Sequence, residues 1–155
     1  MQLYLLRHAD ADTQAESDDQ RFLSEKGMIQ SSRVARFCDA HDIRPRYVLS
    51  SPLRRAHQTA TEVASHLKSE LITVRWLACG ATPEVILEQL DEYKLAPSVM
   101  IVGHEPDLSN FAGALLASNI HGSIHVRKAS LISIDLPQLV LGFGRLEFSI
   151  PVKLM

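Results

Sequence analysis

Short runs of apolar residues alternate along the chain with longer stretches in which apolar residues recur every three or four positions. A short run that is apolar on both faces is typical of a buried strand. The turn-rich stretch Leu136–Gly144 separates the last two such segments. The pattern predicts six strands, at Leu3–Leu6, Tyr47–Leu49, Leu71–Val74, Val99–Val102, Leu131–Ile134 and Arg145–Ile150.

The first helical stretch has a recognisable start. Ser24 is a residue type that caps helix N-termini, and the periodic pattern after it continues to about Ala40. This helix is expected to place Met28, Ala35 and Cys38 on its inner side. The polar segment Asp10–Arg21 before it is predicted to be a loop.

Three more helices follow from the same periodicity. Thr82 before Pro83 combines an N-cap residue with proline at the first helical position. The apolar period of this helix then continues through Ile86, Leu87, Leu90 and Tyr93. The other two stripes are formed by Ala56, Ala60, Val63, Ala64 and Leu67, and by Leu108, Phe111, Ala112, Leu115 and Leu116.

This alternation of strands and helices predicts an α/β fold. βαβ crossovers give a mixed, mostly parallel sheet with helices on both faces, which is a three-layer α/β/α sandwich. The 155 residues, of which 46% are hydrophobic and 22% charged, fit one domain spanning residues 1–155. Ligands of such sheets bind beyond the carboxyl ends of the strands, so functional residues should follow strands directly.

Charge and the N-terminus exclude several classes of function. The formal net charge of −2 gives no overall basic field for nucleic acid or an anionic membrane. The apolar run Leu3–Leu6 is too short for a signal peptide, and no segment approaches the ~18 apolar residues of a membrane span. We therefore expect a soluble cytoplasmic protein. Cys38 and Cys79 show no CxxC spacing and are expected to be reduced, partly buried thiols.

Three segments carry cations or imidazoles directly after predicted strands. Arg7-His8 follows the first strand, Ser50–Arg55 follows the second and Gly103-His104 follows the fourth. Arginine binds two phosphoryl oxygens through its planar fork, and neutral imidazole can attack phosphorus and hold the phosphoryl group covalently. Their convergence at one sheet edge predicts a site for a phosphoryl group.

The same three segments resemble the sequence blocks of the histidine phosphatase superfamily, the phosphoglycerate mutase-like proteins. The blocks stand in family order and span most of the chain. They are Leu5-Leu6-Arg7-His8-Ala9, Ser51-Pro52-Leu53-Arg54-Arg55-Ala56-His57-Gln58-Thr59 and Val102-Gly103-His104-Glu105-Pro106.

The resemblance implies that His8 becomes phosphorylated while Arg7, Arg55 and His104 hold the phosphoryl oxygens. The match to Ser-Pro-x-x-Arg selects Arg55, and Arg54 is then expected to be an exposed helix residue. No metal or organic cofactor is implied.

Because the chain is small, its resemblance is closest to the SixA-type phosphohistidine phosphatases, which lack the inserted cap of the mutases. The stretch containing Asp18, Arg21 and Gly27 is also similar to that branch. The resemblance implies that Arg21 lines the substrate side, and Asp18 is expected to bind substrate with it. It also implies that the substrate is a phosphorylated histidine-containing partner protein, from which phosphate is released.

Two positions depart from the superfamily pattern. Ala9 replaces the usual glycine, which is harmless if its backbone is ordinary. The mutase branch also supplies a carboxylic acid from the segment after its third strand, whereas Arg75–Gly80 contains none. A phosphorylated imidazole needs no dedicated acid, because its free ring nitrogen can take a proton from solvent. The missing acid therefore favours phosphohistidine over alkyl phosphates, with Asp18, Glu84 or solvent left as proton sources.

Two other functions remain open at this point. A small-molecule phosphomonoesterase of the same superfamily is favoured if Asp18 or Glu84 acts as an acid. A non-catalytic phospho-ligand binding protein could use the same pocket. A metal site is not expected, because the pair His121 and His125 is not in a helical context and lacks a third ligand.

Overall fold

The predicted strands form one mixed sheet in the computed structural model, which describes residues 1–117 and 124–155. The strand order is β3-β2-β4-β1-β5-β6. The first four of these strands run parallel, and the last two are antiparallel to their neighbours. The strands are β1 (Gln2–Arg7), β2 (Tyr47–Ser50), β3 (Glu70–Thr73), β4 (Ser98–Gly103), β5 (Leu131–Asp135) and β6 (Arg145–Ile150).

Within residues 1–117 and 124–155, four helices cover the two faces of this sheet, which confirms the predicted three-layer α/β/α fold. α1 and α2 pack together over one face, and α3 and α4 over the other. The helices are α1 (Glu25–Ala40), α2 (Arg54–Leu67), α3 (Pro83–Leu90) and α4 (Asp107–Leu116). Short 3-10 turns lie at Asp18–Gln20, Arg75–Leu77, Asp91–Tyr93 and Val152–Leu154.

The central strand shows why the strand runs are apolar throughout. Val99 and Ile101 of β4 pack under α3 and α4, whereas Met100 and Val102 pack under α1 and α2. All four side chains are completely buried. A strand covered on both faces has no polar side, so its sequence reads as a continuous apolar run.

The start of α1 is confirmed, but its inner face differs from the expectation. The Ser24 side chain caps the helix by accepting the Gly27 N–H at 3.1 Å. Met28 was expected inside and is 64% exposed, so that prediction is wrong. The backbone of Asp10 lies so close to Gly27 that an added Cβ would be 1.9 Å from the Asp10 carbonyl oxygen. Burying Gly27 in this way turns the next residue outward, since each helical residue rotates by about 100°.

Two smaller expectations also need correction. Tyr93 lies beyond the end of α3, in the following 3-10 turn, where its ring meets that of Tyr47 edge-on at 5.4 Å. Both cysteines are free thiols as expected, but only Cys38 is buried, and Cys79 is exposed because it lies in the loop before α3.

Neither a membrane span nor a metal cluster is found in the part of the chain that the structure describes. None of the helices there is long and apolar enough to cross a membrane. No three His, Cys, Asp or Glu side chains in those residues are grouped so that they could hold a metal ion. His121, half of the histidine pair considered above, lies outside the described residues.

Candidate active site

The three candidate segments meet because their strands are neighbours. β4 lies between β1 and β2, and all three run parallel, so their carboxyl ends share one edge of the sheet. The backbone N–H of His8 donates to the Gly103 carbonyl at 3.0 Å, and that of Ser51 to the Val102 carbonyl, also at 3.0 Å. The His8 and His104 rings consequently lie with their centroids 5.1 Å apart.

The His8 ring is held in one tautomer. Its Nδ1 lies 2.7 Å from the Ala9 carbonyl oxygen, which can only accept, so the ring proton is on Nδ1 and Nε2 carries a lone pair. The Ala9 N–H donates to Thr59 Oγ1 at 3.1 Å, which ties this turn to α2. Ala9 is not among the positive-φ residues, so its backbone does not need glycine and alanine is harmless at this position.

Burial keeps His8 neutral. The side chain is only 7% exposed, and burial, aided by the nearby charges of His104, Arg55 and Arg7, lowers the pKa of His8 to about 3. The hydrogen bond to the Ala9 carbonyl acts in the opposite direction but does not offset burial. A neutral imidazole, which carries a lone pair on one ring nitrogen, is the nucleophilic form of histidine.

Arg55 contacts that lone pair directly. It is the second residue of α2, is 4% exposed, and its Nε–H donates to His8 Nε2 at 3.3 Å. Arg54, one residue earlier, is exposed as expected, with its guanidinium 4.1 Å from the centre of the Phe22 ring. A rotation of about 100° per helical residue separates the two arginines, so one points into the site and the other away from it.

Arg7 is the last residue of β1 and has an unsatisfied buried nitrogen. Its Nη1 donates to the Val126 carbonyl at 2.8 Å. Its Nε is buried and has no hydrogen-bond partner among the described residues. A buried N–H without an acceptor is costly, and a phosphoryl oxygen is a suitable acceptor for it.

His104 is positioned by a serine that the sequence analysis did not single out. His104 Nε2 lies 2.8 Å from Ser51 Oγ, which also accepts the Leu53 N–H at 3.2 Å. When the Ser51 hydroxyl donates its hydrogen bond to Nε2, the ring proton of His104 lies on Nδ1. This Nδ1 is buried and unpaired within the described residues. Burial, together with Arg55 and Arg7, lowers the pKa of His104 to about 4. The sequence signal for Ser51 was its place in the Ser-Pro-x-x-Arg block.

Asp18 and Arg21 lie on the outer side of Arg55. The Asp18 carboxylate bridges the two arginines, at 2.9 Å from Arg55 Nη2 and 3.0 Å from Arg21 Nη1. The Asp18 carbonyl also accepts from Arg55 Nη1 at 2.7 Å. Arg21 is linked to Arg55 through Asp18, and its Nε donates to the Asp12 carbonyl at 2.7 Å.

The ion pairs of Asp18 decide its protonation state. The hydrogen bond from Arg21, followed by the charge and hydrogen bond of Arg55, lowers the pKa of Asp18. The carboxyl is therefore anionic near neutral pH, which favours a role in holding Arg55 over a role as proton donor. Glu84, the other candidate acid, is an exposed residue in the first turn of α3.

The segment that lacks an acid places a thiol beside Arg55. Cys79 Sγ lies 3.9 Å from Arg55 Nη2. The loop is held by Asp107, whose Oδ2 accepts the Gly80 and Ala81 N–H groups at 2.8 and 3.2 Å. Although Cys79 is exposed, partial desolvation of its sulfur raises the pKa of the thiol, so the group here is a neutral thiol.

The low pKa values of the two histidines predict an acid-sensitive fold. Below about pH 6.5 the unfolded chain protonates both rings while the folded protein leaves them neutral, so the free energy of unfolding falls as pH falls towards 4. Each histidine should contribute a slope of about 1.4 kcal/mol per pH unit. Urea unfolding from pH 7 to 4.5 should give a shallower slope for His104→Gln than for wild type. Equal slopes for His104→Gln and wild type would contradict the prediction.

The chain is similar to known proteins in sequence and in fold. Residues 3–78 match the model of the histidine phosphatase superfamily (branch 1). The chain is 32% identical over 111 residues to phosphohistidine phosphatase SixA of Escherichia coli strain K12, which is 68% of each chain.

Two solved structures extend this similarity over the whole fold. The structure of the protein histidine phosphatase SixA complexed with tungstate matches with a TM-score of 0.88 at 24% identity, over 99% of this chain and 98% of that one. The alpha-ribazole phosphatase from Shigella flexneri matches with a TM-score of 0.79 at 19% identity, over 98% and 97% of the two chains. One fold thus carries enzymes named for different substrates, so the fold alone does not identify the substrate of this chain.

Proposed function

Since the chain belongs to the histidine phosphatase superfamily and is SixA-like, we propose that it hydrolyses phosphohistidine on a partner protein, with His8 as nucleophile. The observation that carries the proposal is the orientation of His8. Nδ1 carries the ring proton and is fixed by the Ala9 carbonyl, so the lone pair of Nε2 points to Arg55, where an anion would bind.

The first step transfers the phosphoryl group to the enzyme. Binding moves the Arg55 Nε–H from His8 Nε2 to a phosphoryl oxygen, which frees the lone pair for in-line attack. The His8 Nε2–P bond forms as the P–N bond of the substrate breaks, and the departing imidazole takes a proton from solvent. Arg7 Nε–H, Arg55 and His104 Nδ1–H stabilise the negative charge on the equatorial oxygens.

The second step releases phosphate. A water oxygen attacks phosphorus, the His8 Nε2–P bond breaks, and the water proton is lost to solvent or to the phosphate formed. Nε2 then recovers its lone pair. Throughout the reaction Nδ1 keeps its proton, which is hydrogen-bonded to the Ala9 carbonyl. The chemistry proposed here uses no metal or organic cofactor.

The proposal extends to the setting of the enzyme. The described residues contain no inserted cap between the strand ends, so the pocket edge is open to a residue carried on a protein surface. Removing a phosphoryl group from such a residue would reset a phosphorylation signal, so we place the protein in cytoplasmic signalling.

A matched substrate panel tests the substrate class. We expect kcat/KM for a phosphohistidine peptide to exceed that for a phosphoserine peptide of the same sequence by about tenfold or more. The reason is that, in the proposed mechanism, the pocket supplies no acid to protonate the departing serine alkoxide. Faster hydrolysis of phosphoserine or of small sugar phosphates would favour the small-molecule phosphomonoesterase. Binding of the phosphopeptide without any turnover would favour a non-catalytic phospho-ligand binding protein.

Asp18 provides a separate prediction about positioning. Replacing it in Asp18→Asn removes the charge that holds Arg55, and kcat/KM should fall about tenfold, or roughly 1.4 kcal/mol. The loss should be equal for a phosphohistidine peptide and for p-nitrophenyl phosphate, because Arg55 acts on the phosphoryl group in both. The control Asp19→Asn changes an exposed neighbour in the same turn and should be neutral.

Substrates with poorer leaving groups separate this role from proton donation. If Asp18 were the proton donor, Asp18→Asn would impair hydrolysis of glycerol phosphate far more than that of p-nitrophenyl phosphate. A loss that depends on the leaving group would therefore contradict the positioning role.

A further inference from the structure

A cationic groove of about 450 Å³ lies beside the candidate pocket, on the side of Arg7. It is formed by residues from the end of β1, the start of α1, the segment before β5 and the C-terminal turn. The side chains that give it its charge are Arg7, Lys26, Arg127, Lys128 and Lys153.

The groove has a charge opposite to that of the whole chain. It contains five lysine or arginine side chains and one carboxylate, Asp10, a formal excess of four positive charges in a protein of net charge −2. Asp10 is already paired, with Lys128 Nζ at 2.6 Å. Lys26, Arg127 and Lys153 are exposed and form no ion pair with any other described residue.

Two of these cations, Lys26 and Arg127, lie at positions where the local backbone is not stabilised by them. Lys26 is the second residue of α1, where the positive end of the helix dipole disfavours a cation. The turn carrying Arg127 and Lys128 continues into Ala129, whose φ of 55° is disfavoured for a residue other than glycine. The Ala129 N–H lies 3.1 Å from the Arg7 carbonyl oxygen, so this turn is held against the end of the strand that carries the candidate nucleophile.

We propose that the cationic groove binds acidic side chains that flank the phosphohistidine of the partner protein. This inference rests on the proposed function and adds to it the charge of the partner surface. Arg7 lines the groove and also belongs to the candidate pocket, so a chain with its phosphohistidine at His8 can extend directly into the groove. The negative net charge disfavours a long polyanion such as nucleic acid, whereas a few carboxylates meet only the local cations.

Two peptides and one double variant test the groove by binding alone. The peptides contain an unphosphorylated histidine flanked by four glutamates or by four glutamines. Wild type should bind the glutamate peptide about tenfold more tightly at low salt, and this preference should vanish at high salt. Lys26→Glu/Lys153→Glu should abolish or reverse it, and Lys26→Gln/Lys153→Gln provides the same test if the first variant is unstable.

A charge reversal elsewhere serves as the control. Lys94→Glu changes an exposed lysine beside Met1, near the amino end of β1 and therefore far from the candidate site, and should keep the wild-type preference. In kinetics with the phosphorylated peptides, the double variant should lose the preference through KM, while its hydrolysis of phosphoramidate, which has no flanking residues, stays at the wild-type rate.

The outcomes separate the groove from the proposed function. Equal binding of the two peptides by wild type would overturn the groove proposal, as would tighter binding of a DNA oligonucleotide of equal charge. The groove proposal would also be overturned if the double variant lost as much phosphoramidate hydrolysis as hydrolysis of the glutamate-flanked phosphopeptide, since the lysines would then act on the pocket. Failure to hydrolyse any phosphohistidine substrate would instead refute the proposed function, and the binding measurement would still decide the groove.

Discussion

The variant His8→Ala should lose at least about four orders of magnitude in kcat/KM for a phosphohistidine peptide. The imidazole is the side chain that forms a bond to phosphorus in the proposed mechanism. Its Nδ1 proton is held by the Ala9 carbonyl, and burial keeps the ring neutral, so the reactive lone pair is the one on Nε2. The measurement is steady-state hydrolysis, with far-UV circular dichroism to show that the variant is folded.

The matched control for this loss is His66→Ala. His66 is an exposed histidine near the end of α2, so the activity of that variant should stay within about twofold of wild type, as is usual for surface substitutions. Comparable turnover by His8→Ala and wild type would remove His8 from the mechanism.

The second large effect is expected at Arg55. Arg55→Ala should lower kcat/KM by about 10² to 10³, or roughly 3–4 kcal/mol, the range found when one preorganised donor to a developing charge is removed. The buried guanidinium contacts His8 Nε2 and is oriented by Asp18. Arg55→Lys should also lose most activity, because one ammonium group cannot reach both partners and bind two phosphoryl oxygens.

The neighbouring arginine provides the control for Arg55. Arg54→Ala changes the same side chain one residue earlier, where it is exposed over the Phe22 ring. Its activity should stay close to wild type. Equal losses for Arg54→Ala and Arg55→Ala would indicate a general effect of positive charge on α2, and would contradict the assignment of Arg55 to the pocket.

The sequence predicted the positions of those site residues that directly follow a strand. The apolar runs predicted strands β1, β2 and β4. The rule that sites lie at the carboxyl ends of parallel strands then predicted that His8 and His104 lie close together. Their proximity depends only on β1 and β4 being parallel neighbours. The choice between Arg54 and Arg55 came from the motif, and the helical rotation seen at the start of α2 explains it.

Features that depend on loop placement could not be predicted in this way. The bridge from Asp18 to Arg55 joins a loop to a helix, and no periodic pattern fixes where such a loop lies. The contact of Ser51 with His104 likewise requires the rotamers of two side chains from different strands. Met28 was misplaced because the rotation of α1 is set by the backbone of Asp10 against Gly27, and an apolar pattern does not contain that contact.

Trapping the phosphorylated enzyme is the most direct test of the nucleophile. The protein is mixed with a phosphohistidine peptide, quenched in alkali within the first turnover, and analysed by mass spectrometry and phosphorus NMR. We predict a phosphoryl group on Nε2 of His8 that is stable in alkali and lost in acid. A phosphoryl group on another residue, such as Ser51 or Cys79, or on Nδ1 of His8, would contradict the mechanism, as would turnover without any phosphorylated enzyme.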